Sequence, residues 1–413
     1  MNVTTKTTRV FAVEKASRKF PRRSGLALAV MVAGAIGWSA SAGAVELQSG
    51  DWTIDVGGFI NAYYTSTSCS GDNVGGLALA GRGLGCAGED HRTTIGNGLL
   101  PNALVTKFKT TQDGIDIGGQ IGIMVHTATS SGVAPNSGVD VRQAFFTLGT
   151  ADWGTVKIGR DYGTFGSNAI LGDMTLIGAG APVQATQRDR VTLGHIGAGY
   201  TYLDNYGQIT WSSPSYNGLV FTGGLFSPVD NGGAGILDYV SKSYPQVQAQ
   251  LAWSNEGFKV WVGAKTQKFY GAAGSDAQGD NFNESAGEIG ASFTAGAFSF
   301  LANFQDGKGI GILSDGDQGP VKGQNYFLQG TFNVTPKLKL GLNYGQSRNK
   351  GDNDFNFEAN AGFKSNNNTT GGLYYSLTKS VTLAFEVSQT NSKDYFGNKA
   401  KMWGGSAGGI VFF

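Results

Sequence analysis

Beyond position 44 the chain contains no run of about 18 apolar residues, so it has no helix of its own able to span a bilayer. Histidine is scarce. His91, His126 and His195 are far apart, and no Ser-His motif accompanies them, so a hydrolytic constellation is not expected. Cysteine occurs only as Cys69 and Cys86. With His91 in a Gly-rich stretch they lack the spacing of a zinc site, and no metal, cofactor or catalytic group is expected. In an exported chain the two are expected to close a disulfide, free or metal-bound thiols being the alternative. Proline is low, at 9 residues, and no Pro- or Ser-rich linker, charge block or composition break divides the chain. The acidic pieces Asp315-Gly316-Asp317 and Asp352-Asn353-Asp354 lack calcium-loop spacing and are expected to be solvated.

The N-terminus is a separate matter. Lys6, Arg9, Lys15, Arg18, Lys19, Arg22 and Arg23 precede an apolar stretch from Gly25 to Trp38, and Ala42-Gly43-Ala44 offers small residues for cleavage. Residues 1–44 therefore read as a cleaved signal peptide with a long basic region, and 45–413 as the folded domain. A membrane anchor is the alternative, but the apolar run is short of the ~20 residues a span needs. The segment holds seven basic residues and Glu14. Of 31 basic and 30 acidic residues, 24 and 29 remain, a net charge near −5 that argues against nucleic acid as a partner.

Glycine is abundant, at 66 residues, with 15 Tyr and 25 Phe. Glycine at bends and aromatics on half-buried faces suit a large curved sheet. Period-two alternation is the dominant pattern. In Gln246–Trp253, Val247, Ala249, Leu251 and Trp253 share one face, and Gln246, Gln248 and Gln250 the other. The same holds for Ile115–Val125, Phe298–Gln305, Asn325–Val334, Leu338–Tyr344 and Val381–Ser388. The reading gives sixteen strands. Short turns such as Asp113-Gly114, Asn217-Gly218 and Thr335-Pro336-Lys337 alternate with long connections: about 65–98, 128–139, 161–205, 228–237, 270–281, 307–323, 349–364 and 391–399. Short turns on one side and long loops on the other describe a 16-stranded antiparallel transmembrane β-barrel with periplasmic turns and extracellular loops. Trp52, Tyr64, Trp153, Trp211, Tyr216, Trp253, Tyr270 and Trp403 near strand ends suit an interfacial girdle. A secreted sandwich or propeller is the alternative, but closure is the simplest protection for so many strand edges.

Three stretches resemble a known family. Arg142-Gln143-Ala144-Phe145 with Trp153-Gly154-Thr155-Val156-Lys157-Ile158-Gly159-Arg160-Asp161 resembles the "RQAF … FGTVRLGRQ" signature of the trimeric general porins of Gram-negative bacteria. The stretch 108–114 resembles their "FKGTEDLG" hairpin, and 204–215 their "DNSIRYDSPSF". Gln112 and Thr210-Trp211 depart from the family pattern, and the last strand is unusually Gly-rich. The resemblance implies a homotrimer in the outer membrane, contacting its lipid and lipopolysaccharide. It also implies a third loop, Asp161 to Asn205, folded into the lumen, and a terminal aromatic, Phe413, that serves as an assembly signal.

A diffusion pore needs a water-filled lumen and charges at its constriction, and no catalytic group. The family pattern sets wall cations against loop acids. Here the candidates are Lys107, Lys109, Arg142, Lys157 and Arg160 on the wall, Asp161, Asp173 and Asp189, and Arg188 and Arg190 late in the loop. Lys107, Lys109 and Lys157 have lumen parity. Arg160 shares parity with Val156 and Ile158 and must lie past the strand end or after a bulge; Arg142 is ambiguous. The expected function is passive diffusion of small hydrophilic solutes and ions, with mild anion preference. A substrate-selective channel and a non-transporting adhesion or structural barrel are the alternatives.

Overall fold

A computed structural model describes residues 44–127, 139–183, 192–230, 239–351 and 354–413. Residues 1–43, in which a signal peptide is expected, and Arg188, Asp189, Arg190 and Asp352-Asn353 lie outside the described residues. Sixteen strands form a closed antiparallel wall. In chain order they are β2 (Trp52–Gly71), β4 (Asn102–Gln112), β5 (Ile115–Val125), β6 (Val139–Thr150), β7 (Gly154–Tyr162), β8 (Asn205–Ser212) and β9 (Leu219–Phe226). Then come β11 (Gln246–Asn255), β12 (Phe258–Gly271), β13 (Asn281–Ala295), β14 (Phe298–Lys308) and β15 (Lys322–Asn333). The wall ends with β16 (Leu338–Asn349), β17 (Phe363–Ser376), β18 (Val381–Asp394) and β19 (Lys399–Phe412). Three short strands are additional: β1 (Val45–Ser49) hairpins with β2, β3 (His91–Gly96) pairs with β2, and β10 (Tyr239–Val240) pairs with β12.

Closure is made by β19 on β2, from Ala400↔Gly71 to Phe412↔Phe59. The next residue extends the ladder: the Gly58 N–H donates to the Phe413 carbonyl at 2.8 Å and the Phe413 N–H to the Gly58 carbonyl at 3.0 Å. No helix among the described residues is long and apolar enough to cross a membrane, so the strands are the spanning elements. Burial is inverted relative to a soluble protein. On β13, Ile289 is 58% exposed while its neighbour Glu288 is 5% exposed. The apolar set of each strand faces outward and the polar set inward, as a lipid-facing wall requires. Asp113 and Asn217 hold φ of 50° and 51°, each followed by a left-handed glycine, the backbone an Asp-Gly or Asn-Gly hairpin turn demands.

Two boundaries differ from the sequence reading. The first loop starts only after Gly71, because Thr65 and Thr67 continue β2. The eighth connection is a tight turn of residues 395–398, since β18 and β19 stay paired to Lys393↔Lys399. The first loop folds inward. Cys69, on the lumen side of β2, is bonded to Cys86, with Cα atoms 6.2 Å apart. Nearby, the Leu79 N–H donates to Asn366 Oδ1 at 3.0 Å and the Ala80 N–H to Ser392 Oγ at 2.9 Å. Reduction should add the mass of two hydrogens to the intact chain, and Cys86→Ser should make residues 72–90 the first site of proteolysis. An unchanged mass on reduction would remove the bridge.

Candidate functional site: the inserted loop and the lumen wall

The third loop leaves β7 at Gly163 and returns at Asn205. Its sequence from Gly163 to Val183 is rich in Gly and Ala and carries one charge, Asp173. A chain so poor in side-chain polarity has many backbone N–H groups to satisfy once it leaves water. The inward face of the wall supplies the acceptors. On β11, Gln248 Oε1 accepts from Thr164 N–H at 2.8 Å and Phe165 N–H at 3.0 Å. Glu288 Oε2 on β13 accepts from Gly166 N–H at 3.0 Å. On β15, Gln329 accepts from Met174 N–H at 2.7 Å and donates to the Gly172 carbonyl at 2.8 Å. Glu386 Oε2 on β18 accepts from both Ala179 and Gly180 N–H at 2.8 Å, while Tyr374 O–H donates to its other oxygen at 2.6 Å. The returning half is held by Gln305 to Thr201 N–H at 3.1 Å and by Ser347 to Gly199 N–H at 3.0 Å.

These anchors run from β11 to β18, so the loop lies against that side of the wall. Packing reinforces them. Ile170, Leu176, Ile196, Leu203, Leu301, Leu313 and Phe327 share one buried apolar cluster with Leu79 of the first loop. The first, third and sixth loops thus meet inside the barrel. The sixth loop, 309–321, is pinned by its own acid. Asp315 pairs with Lys265 of β12, accepts from Tyr206 O–H at 2.8 Å and from Gln246 Nε2 at 2.7 Å, and Lys265 also pairs with Glu284 at 2.9 Å.

The other sector of the lumen, β4 to β7, carries charges that range from exposed at Lys109 to largely buried at Arg142, Lys157 and Asp161. Lys107 and Lys109 face inward on β4, with Lys109 4.0 Å from Asp55. Lys157 on β7 pairs with Asp161, which also accepts from Gln143 Nε2 at 2.9 Å. Arg142 is settled by a bulge in β6 between the partners of Gly122 and Ile123. The extra residue lets Val141 and Phe146 both face outward while Arg142 turns inward, 2.8 Å from Asp140 and 3.2 Å from Tyr202 O–H.

Two candidates sit elsewhere than expected. Arg160 is neither past the strand end nor after a bulge. The β7 ladder continues through it to Tyr162, so it stays on the outer face, opposite Ala144, and donates to the Val141 carbonyl at 3.1 Å. Asp173 does not face the passage. It is buried at the loop's turn, accepting from Tyr200 O–H at 2.6 Å, Thr175 N–H at 2.8 Å and Asn343 Nδ2 at 3.2 Å, with His195 Nδ1 at 3.4 Å. Burial alone would raise its pKa; His195, Tyr200 and Thr175 outweigh it and hold the carboxyl below its ordinary value. The expected solvated pair Asp315 and Asp317 is buried, each at 1% exposure. The sequence reading also missed Lys259 and Lys339, although each has lumen parity opposite Val260 and Leu340. His126 lies buried just past β5, near the strand end where it was expected.

A family model described as Gram-negative porin matches residues 27–395. A search of curated protein sequences returned no match. Among solved structures, the outer membrane channel DcaP of Acinetobacter baumannii is similar with a TM-score of 0.65 at 15% identity, covering 89% of this chain and 99% of that one. The anion-selective porin from Comamonas acidovorans gives 0.61 at 16% identity, covering 88% and 100%. Salmonella typhi OmpF gives 0.61 at 17% identity, covering 89% and 100%. At these identities the likeness is one of fold.

Glu386→Ala orphans two buried loop N–H groups, at about 1–3 kcal/mol each. It should free the 178–180 segment and raise single-channel conductance and its noise, whereas Glu386→Gln, still an acceptor, should change both less. Unaltered conductance in Glu386→Ala would contradict the anchoring. The sixth loop should respond to pH. Burial pushes Asp317 up to about 6, against three backbone N–H donors, and burial with Asp315 nearby raises Asp204. Raised carboxyls favour the docked loop in acid, and this stabilisation declines as pH climbs from about 4 through the raised values. Protease cutting within 309–321 should therefore be slower near pH 5 than near pH 8; the reverse order would refute the assignment.

Proposed function

Since the chain belongs to the family of Gram-negative porins, its barrel is an outer-membrane channel for passive diffusion of small hydrophilic solutes, and we propose that this channel favours small anions. One observation carries the preference. In the turn-side half of the lumen Lys107, Lys109, Lys157, Lys259 and Lys339 point inward, against Asp55 and Asp116 on the wall strands, Glu46 on β1 and Asp161, which pairs with Lys157. The described loop segment 163–183 adds no exposed charge, its one carboxylate being buried. A lumen whose wall cations outnumber its wall acids concentrates anions on the path. The similar Comamonas acidovorans structure is itself described as anion-selective.

The remaining parts of the reading follow the family. The chain acts as a channel and not as an enzyme, with residues 1–44 removed on export and Phe413 read as the assembly signal. It forms a homotrimer. Support comes from the outward face of β3 to β6, where apolar residues continue to the loop-side strand ends: Ile95, Val125, Val139 and Val141 are 64, 40, 62 and 41% exposed. Such a face suits burial against a second copy. The meeting of the first, third and sixth loops in the lumen favours a second reading, a channel selective among solutes. Solute-dependent block of the current would distinguish it from general diffusion.

Reversal potentials in a KCl gradient test the anion preference. The natural chain should pass chloride more readily than potassium, and Lys107→Gln with Lys109→Gln and Lys157→Gln should move the reversal potential toward that of potassium. Cation selectivity in the natural chain would overturn the proposal.

A further inference from the structure

Among the described residues, the middle of the inward face of β4 to β7 carries one aromatic ring, that of Phe145 on β6. The next residue, Phe146, faces outward and is 41% exposed, as suits a wall against lipid. Phe145 is half-buried on the side of the aqueous passage, where an apolar ring gains little unless something covers it. Its neighbours leave it open. On β5, Gly118 and Gly122 lie diagonally across from it, and on β7 Gly159 lies directly opposite. Gly159 has a φ of 131°, and a Cβ there would stand 2.9 Å from Phe145 Cβ, so the position stays bare.

The long side chains nearby are drawn aside or charged. Gln120, directly opposite on β5, donates through Nε2 to Gln143 Oε1 at 2.6 Å, and Gln143 Nε2 donates to Asp161 at 2.9 Å. Both amides are thereby held toward the loop side of the ring. Lys157 runs past Gly159 to pair with Asp161, which sets its ammonium 5.2 Å from the ring centroid. On the other flank, Lys107 stands in the same cross-strand row, Lys107↔Gln120↔Phe145, two strands or roughly 10 Å away. Lys107 is in no ion pair among the described residues, and Asp55, opposite it, pairs instead with Lys109 at 4.0 Å. An open ring and an ammonium without a counter-charge thus share one row of the wall, at a separation that a lysine side chain and a ring-borne carboxylate together span.

We infer that the inner wall around Phe145 is a subsite for aromatic carboxylates, the ring of the solute lying on Phe145 and its carboxylate meeting Lys107. A ring stacked in offset on Phe145 covers the apolar surface that the three glycines leave open. The carboxylate supplies the counter-charge that Lys107 lacks. Inorganic anions use only the lysine and neutral aromatics only the ring, so the pair selects solutes that carry both features. The inference rests on the reading of a channel selective among solutes and narrows it to one class.

The test uses the full chain in a planar bilayer in KCl, with current block read for benzoate, cyclohexanecarboxylate and acetate. Benzoate should block at a concentration at least about threefold lower than cyclohexanecarboxylate, which has the same charge and nearly the same size but no aromatic face. Acetate should block least. Phe145→Leu should bring benzoate to the level of cyclohexanecarboxylate, whereas Phe146→Leu, on the outward face, should keep the ring preference. Lys107→Gln should weaken block by both ring acids together. Equal block by these two in the natural chain would overturn the subsite, and this comparison needs no variant. So would a ring preference that survives Phe145→Leu. Conductance in KCl with no block by benzoate would remove the subsite and leave the channel standing, while absence of conductance would remove both.

Discussion

The arrangement depends on one kind of interaction: wall side chains inside a barrel accepting hydrogen bonds from the backbone of an inserted loop. A β-barrel satisfies its own backbone by closure, so its inward side chains are left over for other work. Between β11 and β18 that work is to cap the N–H groups of a Gly- and Ala-rich segment with few polar side chains to cap them itself. Each anchor is modest, at about 1 kcal/mol net for a neutral hydrogen bond and more where a carboxylate accepts. The cost of losing one is larger than the gain of making it, because the site is buried. Gln248, Glu288, Gln329 and Glu386 therefore act together to fix the loop's path, and with it the shape of the lumen.

This division of the inner wall explains where charge remains. The sector that holds the loop has its acids engaged, Glu288 and Glu386 with loop amides and Glu284 with Lys265. The uncovered sector and the turn-side half carry the inward lysines, on which the proposed anion preference rests. The outer wall carries an apolar rim on β3 to β6. One closed sheet thus presents a polar inner and an apolar outer surface, distinguished by side-chain parity.

Parity was legible in the sequence. Period-two alternation, the Asp113-Gly114 and Asn217-Gly218 turns and the long connections were enough for strand number and lumen faces, while the inserted loop was legible only through the resemblance to the porin family. What parity cannot give is the occupant on the far side. Gln246 and Gln248 were read as facing water, and their side was right. They are buried because Asp315 and the loop backbone take the place of water there. Arg160 and Arg142 show the same limit in the ladder. A bulge that costs one register step is invisible in composition, and it turned Arg142 inward while the unbroken β7 left Arg160 outside. Asp315 looked solvated because its partners, Lys265, Tyr206 and Gln246, come from three other strands that only closure brings together.

The claim that wall carboxylates and amides hold the loop is tested most directly by hydrogen exchange at the Ala179 and Gly180 amides in the membrane-embedded protein. The account predicts protection comparable to the ladder amides of β18, since both N–H groups end on Glu386. Exchange at the rate of a solvated loop would contradict it.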